Sequence, residues 1–248
     1  MSMPFYVAPE QFMKDKADYA RKNIARGRPL VASAYAEGIL ICAENPSQSL
    51  HKVSEIYDRI AFAGVGRYNE FDQLRRAGVQ HADIKGYQFS REDVDARSLA
   101  NLYAQHMGNV FTHEMKPLEV EILVAEVGLV AGDDQLFHIL YDGSVVDEDR
   151  YTVLGGDSDA IAGRLESGFD VTSDLGTALR RAVAALGGAD RTLGSGELEV
   201  AVLSRCNGRR AFRRVAKDEV ATLLAEPGAP DDATAAEPET PGDDSSGE

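Results

Sequence analysis

The sequence is poor in cysteine and has no long apolar run. Cys42 and Cys206 are the only cysteines among 248 residues, too few for a disulfide framework or a thiolate metal site. No window reaches about 18 uncharged apolar residues, and residues 1–16 lack the charged start and continuous apolar stretch of a signal peptide. We therefore expect no membrane-spanning helix, no membrane partner and a cytoplasmic location.

Positive charge is also scarce. Lys and Arg number 26 against 41 Asp and Glu, which gives a net charge of −15 and argues against a nucleic-acid partner, since phosphate binding needs a dense basic face. Residues 226–248 hold eight acidic residues and no basic one, so the rest of the chain carries −7. Because this tail is rich in Pro, Gly, Ser and acid, it is predicted to be disordered.

The chain begins with the pattern of an amphipathic helix. Pro9 suits its first turn and Gly27 ends it. Spacings of four, three and four residues form one apolar stripe: Met13, Ala17, Ala20 and Ile24. The charged residues are expected to face elsewhere: Lys14, Asp15, Lys16, Asp18, Arg21 and Lys22. A stripe this narrow is compatible with packing on its own domain or against a neighbouring subunit.

Short apolar runs between turn residues predict the strands. "LVASAYA" and "GILICAEN" flank Glu37-Gly38 and predict a hairpin, and "RIAFAGVG" predicts a third strand at 59–66. Later, "EVEILVAEVG", "QLFHILYD", "SVVDED" and "YTVLGG" predict four successive strands of one antiparallel meander. "ELEVAVLSR" and "RAFRRV" predict a last hairpin around Asn207-Gly208.

Helical periodicity separates these groups of strands. Helices are predicted at about 67–82, 95–112, 157–167 and 172–186, and "KDEVATLLAE" predicts a short closing helix. The buried face of the second is expected to contain Leu99, Leu102, Tyr103, His106, Met107 and Val110. This order predicts an α+β fold, a four-layer αββα sandwich of two antiparallel sheets, each half of the chain supplying one sheet and its helices.

Two stretches carry a resemblance to a known family. "DYARKNIARG" followed by "RPLVASAYAEGILICAEN" resembles the amino-terminal region of proteasome alpha-type subunits, where a Tyr-Ala-Arg helix ending in Arg-Gly precedes the first strand pair. "SLHKVSEIYDRIAFAGVGRYNEFDQLRR" resembles the lysine-containing strand, small-residue turn and first central helix of these subunits. "NPSQSLHKVSEIYDR" and "FRRV" are most similar to the actinobacterial branch. The resemblance covers about residues 5–224.

The resemblance implies an amino-terminal-nucleophile hydrolase-like fold without catalysis. Catalytic relatives use a threonine that is the first residue of the first strand, with its own amine as base. Here the first threonine is Thr112, and Arg28 is expected to begin that strand. Ser33 and Cys42 lie within strands, where cleavage to free their amines would destroy the hairpin. We therefore expect no catalytic residue, no metal and no cofactor.

The implied role is a non-catalytic subunit of the 20S proteasome core. Seven alpha copies would form the outer ring on a ring of catalytic beta subunits, and would admit protein substrates tagged with a small ubiquitin-like modifier. The implied division is a gating extension at 1–9, the alpha-type domain at 10–225 and a tail at 226–248. "MSMPFYVAPEQFM" departs from the Tyr-Asp-Arg element and Ser-Pro-Asp-Gly turn of archaeal and eukaryotic subunits. The implied gate residues are Ser2, Met3, Pro4, Phe5, Tyr6, Val7, Ala8 and Pro9.

Lys52 stands where the family has its pocket lysine. It lies fourteen residues before Gly66 of "AGVGR". In alpha rings this lysine sits between neighbouring subunits and pairs with the terminal carboxylate of a ring-shaped AAA ATPase activator, a charge-assisted contact that also fixes register. Gly66 is expected to let the docked tail approach the backbone closely.

Two other functions remain open from sequence. A self-sufficient amino-terminal-nucleophile amidohydrolase or homomeric protease predicts a processed start at Ser33 or Cys42, and a plain oligomeric scaffold predicts no gating. The five histidines show no metal-ligand spacing. "LGGDSD" lacks the Lys-Ser or Lys-Thr of a phosphate loop, so a turn capped by Asp157 is expected. "RCNGRRAFRR" is interpreted as an exposed hairpin or subunit contact.

Overall fold

Helices and strands alternate in blocks along the chain in the computed structural model, which describes residues 8–225. The predicted disorder of the acidic tail therefore lies outside the described residues. The helices are α1 Pro9–Ile24, α2 Tyr68–Gln88, α3 Ala96–His113, α4 Ser158–Glu166, α5 Leu175–Gly187 and α6 Lys217–Ala225. The strands are β1 Leu30–Tyr35, β2 Gly38–Glu44, β3 Val53–Tyr57, β4 Ile60–Gly66, β5 Val120–Glu126, β6 Gln135–Ile139, β7 Val145–Glu148, β8 Tyr151–Leu154, β9 Leu198–Ser204 and β10 Phe212–Arg214.

The strands form two five-stranded antiparallel sheets. The first has the order β10-β9-β2-β1-β8 and the second β3-β4-β5-β6-β7. Every residue of β1, β2 and β9 is buried, because these strands are covered on both faces. The runs without polar alternation in the sequence therefore correspond to doubly covered strands.

Three apolar layers hold the sandwich together. The middle layer lies between the sheets and includes Ile41, Ala63 and Leu123, together with Ala20 and Ile24 of α1. A second layer lies between the first sheet and α4, α5 and α6, and a third between the second sheet and α2 and α3. This arrangement confirms the predicted αββα sandwich with an amino-terminal helix. Among the described residues, no helix combines the length and apolar character needed to cross a membrane.

The predicted division of strands between the sheets was wrong in two respects. β8 does not continue the meander, because it pairs with β1 in the other sheet, with Leu154 opposite Leu30. The prediction that each half supplies one sheet was also wrong, because β1 and β2 share the first sheet with β8, β9 and β10, and β3 and β4 share the second with β5, β6 and β7. β3 was identified only through the resemblance, since the register shift between Glu55 and Tyr57 disturbs its alternation.

The helix predictions differ from the structure mainly at the ends. α2 continues to Gln88, beyond the predicted end at about residue 82. α3 begins after Asp95, whose carboxylate accepts a 2.7 Å hydrogen bond from the Ser98 amide. Leu99, Tyr103 and Met107 form its buried face as predicted, together with Ala96 and Ala100. His106 is exposed, so its assignment to that face was wrong.

α1 is confirmed as a helix, but the assignment of Lys16 to its outer face was wrong. Lys16 is buried, and its ammonium donates 2.6 Å and 2.5 Å hydrogen bonds to the carbonyl oxygens of Phe111 and Glu114. These carbonyls end α3, where the helix dipole favours a cation. The ammonium also lies 5.1 Å from the ring centre of Phe12 and 5.4 Å from that of Phe111. Lys16 therefore fixes α1 to its own domain.

Lys16→Ala is expected to loosen α1. Two charge-assisted hydrogen bonds and a cation at a helix end are lost, and we expect the free energy of unfolding to fall by about 2–3 kcal/mol. Thermal unfolding and amide exchange in α1 measure the effect. Lys14→Ala, an exposed lysine two residues earlier on the same helix, is the matched control and should change stability by less than about 0.5 kcal/mol. Equal losses in both variants would contradict the anchoring role.

Candidate functional site

Lys52 lies immediately before β3, at one end of the two sheets. Its carbonyl accepts a 3.1 Å hydrogen bond from the Gly64 amide, which continues the pairing of β3 with β4. Its own amide donates a 2.8 Å hydrogen bond to Glu199 Oε2 of β9, in the other sheet. Its ammonium donates a 2.5 Å hydrogen bond to the carbonyl of Arg28, in the linker between α1 and β1. Both sheets and the linker therefore position this side chain.

Two buried carboxylates lie beside Lys52. Glu44, the last residue of β2, pairs with Arg28 at 2.8 Å and with Arg191 at 2.6 Å. Glu199 pairs with Arg214 and with the imidazole of His51, whose Nδ1 lies 3.2 Å from its Oε1. These seven residues, called the Lys52 cluster below, are Arg28, Glu44, His51, Lys52, Arg191, Glu199 and Arg214.

The Lys52 cluster is positive in an acidic protein. With His51 neutral, its four cations and two carboxylates leave a net charge of +2, against −15 for the chain. The side chains of Arg28 and Arg191 are 51% and 52% exposed, so guanidinium hydrogens not used on Glu44 face solvent. This arrangement suits an anionic ligand with planar oxygens, since guanidinium forks match carboxylate geometry.

Burial lowers the pKa of Lys52 to about 8. Arg28 lowers it further, while the nearby carboxylates of Glu44 and Glu199 act in the opposite direction. The ammonium has thus lost part of its hydration, and the protein groups around it do not fully compensate for that loss. A ligand carboxylate placed against it would stabilise the charged form, so binding such a ligand and keeping the proton are linked.

Gly66 has a structural reason to be glycine within the chain itself. It ends β4 with φ = +111°, and a Cβ atom there would lie 2.0 Å from the carbonyl oxygen of Glu119. The positive φ and the Glu119 carbonyl therefore account for this glycine without a docked tail. Gly66 nevertheless lies close to the linker that Lys52 contacts. A Cβ atom built on Gly27, the residue before Arg28, would lie 3.3 Å from the Gly66 nitrogen.

The candidate nucleophiles lie inside the first sheet. β1 begins at Leu30, so the expectation that Arg28 begins it was wrong by two residues. Ser33 is buried in the middle of β1, paired with Leu40 on one side and Tyr151 on the other. Cys42 is fully buried in β2, and desolvation raises the pKa of its thiol to about 12.

The structure describes only the end of the predicted gate. Pro9 is the first residue of α1, so it belongs to the helix. Ala8 precedes the helix with an extended backbone. The other gate residues, from Ser2 to Val7, lie outside the described residues.

The remaining motifs have ordinary structural explanations. "LGGDSD" is the predicted turn from β8 into α4, although the Asp157 side chain makes no capping hydrogen bond. No group of three or more metal-ligating side chains occurs within residues 8–225. All five arginines of "RCNGRRAFRR" form ion pairs with acidic residues within 4 Å: Arg205 with Asp134, Arg209 with Asp58, Arg210 with Glu55, Arg213 with Glu219 and Arg214 with Glu199.

Comparison with known proteins places these features in one family. The sequence profile described as "Proteasome subunit" matches residues 24–203. "Proteasome subunit alpha" of Acidimicrobium ferrooxidans is 63% identical over 226 residues, which cover 91% of this chain and 97% of the relative. The protein of the same name from Sanguibacter keddieii is 56% identical over 232 residues, covering 92% and 91%. That of Streptosporangium roseum is 53% identical over 246 residues, covering 98% and 93%.

Proposed function

The chain belongs to the proteasome subunit family as an alpha-type subunit, and we propose that it forms the non-catalytic outer ring of a cytoplasmic 20S core. Seven copies close the ring through one repeated heterologous contact and stack on a ring of beta subunits. The ring admits unfolded, modifier-tagged protein through a pore gated by residues 2–8, and it opens when a ring-shaped ATPase docks at the Lys52 cluster.

The observation that carries the non-catalytic role is the docked α1. A nucleophile of this fold requires a free amine at the start of β1, whereas here α1 and its linker lead into that strand. Ala20 and Ile24 are buried in the middle apolar layer, and Lys16 ties the helix to α3. Cleavage before Ser33 would remove three of the six residues of β1, which pair with both β2 and β8.

Peptide turnover by the purified chain tests this role. The isolated chain should hydrolyse no fluorogenic peptide, and its intact mass should show that α1 is retained. The same chain assembled with a catalytic beta subunit should give turnover that a threonine-directed inhibitor abolishes. Turnover by the isolated chain with a new terminus at Ser33 or Cys42 would instead identify a self-sufficient hydrolase.

The geometry of the Lys52 cluster supports carboxylate docking. The Lys52 ammonium, partly desolvated and held against the Arg28 carbonyl, lies in a net positive region with two half-exposed guanidinium groups. A terminal carboxylate would add acceptors for the donor hydrogens that the Arg28 carbonyl and Glu44 do not use. Truncating one partner of such a buried charge pair typically costs 2 kcal/mol or more, so Lys52 is the residue on which docking depends most.

Docking at Lys52 should depend on pH. The ammonium faces Arg28, Glu44 and Glu199, with His51 and Arg214 behind Glu199 and Arg191 behind Glu44. Because its pKa is lowered to about 8, the charged form is present below that pH and is lost above it. The affinity of an activator-tail peptide should fall roughly tenfold between pH 7 and pH 9.

Titration of peptide binding by fluorescence anisotropy measures this pH dependence. Lys52→Arg is the matched control, because a guanidinium keeps its charge throughout this range and should flatten the profile. An unchanged slope in Lys52→Arg would assign the pH dependence to another group.

A further inference from the structure

Two regions of this chain carry net charges of opposite sign. The Lys52 cluster carries a net charge of +2, while residues 226–248 hold eight carboxylates and no cation. The half-exposed guanidinium groups of Arg28 and Arg191 have only Glu44 as an ion-pair partner among the described residues. The cluster therefore has capacity for further carboxylates, and the chain itself supplies them.

The fold brings the start of the acidic segment near the cluster. Arg214 of the cluster ends β10, and α6 begins three residues later at Lys217. The nine residues of α6 span about 14 Å, after which the acidic segment follows directly. Its 23 residues can extend over roughly 75 Å, so Glu237 and Glu239, near its middle, have ample length to return to the cluster.

We propose that the acidic segment 226–248 docks on the Lys52 cluster and competes there with the carboxylate of the activator. The inference rests on the proposed function, since it assigns a regulator to the same site. The segment acts as an intramolecular competitor whose strength is set by charge and tethering. Removing its charge therefore makes the site more available to an activator without changing the site itself.

The contact is expected to be weak and sensitive to salt. Exposed ion pairs each contribute little, but tethering gives the segment an effective concentration in the millimolar range. We therefore expect several carboxylates of the segment to take turns in contacting the Lys52 cluster, instead of one carboxylate forming a fixed ion pair. A Debye length of about 10 Å at 0.1 M salt falls to about 4 Å at 0.5 M, so high salt should release the segment.

Acylation of Lys52 tests the contact without any activator. A neutralised full-length variant carries Gln at Glu226, Glu237, Glu239 and Glu248, and Asn at Asp231, Asp232, Asp243 and Asp244. Mass spectrometry follows acetylation by an N-hydroxysuccinimide ester at pH 7.5. Because docked carboxylates shield Lys52 and keep it protonated, acetylation should be at least threefold faster in the neutralised variant at 20 mM salt. The difference should vanish at 0.5 M salt.

Two controls separate charge from other effects. A variant with residues 226–248 in shuffled order keeps all eight acids and should protect Lys52 as the native segment does. Lys14, exposed on α1, should be acetylated at the same rate in all chains. Equal Lys52 rates in native and neutralised chains at low salt, or protection that persists at 0.5 M salt, would overturn the proposal.

The affinity for an activator-tail peptide completes the test. The neutralised variant should bind it two- to tenfold more tightly at low salt, an effect that the free peptide 226–248 reverses when added in excess. If acetylation shows protection but peptide affinity is the same in both chains, competition is refuted while the contact stands. If Lys52→Ala binds the peptide as well as the native chain does, the docking function itself fails, whatever the acetylation rates show.

Discussion

Lys52→Ala is expected to abolish stimulation of the assembled core by its ATPase activator while leaving the ring intact. The variant removes the ammonium on which the proposed carboxylate docking depends, and a loss of about 2 kcal/mol lowers affinity roughly thirtyfold. The fold should tolerate the change, because the orphaned Arg28 carbonyl lies in a linker beside a half-exposed side chain where water can replace the hydrogen bond. Activator-dependent turnover and native mass measure the two effects.

Matched variants distinguish docking from a structural role of Lys52. Lys52→Arg should retain part of the stimulation, since it keeps the charge but not the shape, whereas Lys52→Met should retain none. Lys14→Ala should behave as the native chain does. Full stimulation of a folded Lys52→Ala ring would place the docking site elsewhere. If stimulation falls only as much as the amount of assembled ring falls, the role of Lys52 is structural.

Deleting residues 2–8 is expected to speed the degradation of an unfolded protein by the assembled core severalfold without an activator. The physical reason is that α1 fixes the point at which the preceding segment leaves the domain. Lys16, Ala20 and Ile24 hold the helix on its own domain, and the helix begins at Pro9. In the proposed ring of seven copies, a segment that leaves a fixed point in each copy can occupy a shared pore. Turnover of a labelled, unfolded protein measures the effect.

Substrate size supplies the control for the deletion. A small peptide that passes a narrow pore should be accelerated much less than the unfolded protein, and the activator should add little to the deleted core. Equal acceleration of both substrates would indicate a change in the catalytic chamber. Unchanged turnover of both would favour a plain scaffold.

The sheets and helices were largely predictable because their signals are local. β1 and β2 flank a two-residue turn, and the continuous apolar runs of β2 and β9 correspond to strands covered on both faces. The sheet to which β8 belongs was not predictable. Two residues connect β7 to β8, and that connection would be the same whether β8 paired with β7 or with β1. Only the distant pairing of β8 with β1, in which Leu154 lies opposite Leu30, decides the sheet. Non-local pairing is what single-sequence periodicity does not contain.

For the candidate site, the sequence pointed to Lys52 and not to the residues around it. Lys52 was identified through family resemblance, whereas Glu44 at the end of β2 and Arg191 and Glu199 near β9 are distant from it in sequence and form no motif with it. Lys16 was assigned to solvent because lysine is rarely buried, and its partners are carbonyls 95 and 98 residues away. Side chains whose role depends on distant backbone groups cannot be recognised from their own segment.

Electron microscopy of the chain purified with a catalytic beta subunit would show directly whether this chain forms the outer rings. We expect four stacked sevenfold rings, with this chain in the two outer rings, α1 ordered in every copy and Lys52 at the boundary between neighbours. Inner rings formed by this chain, or a particle made of this chain alone with a processed strand start, would contradict it.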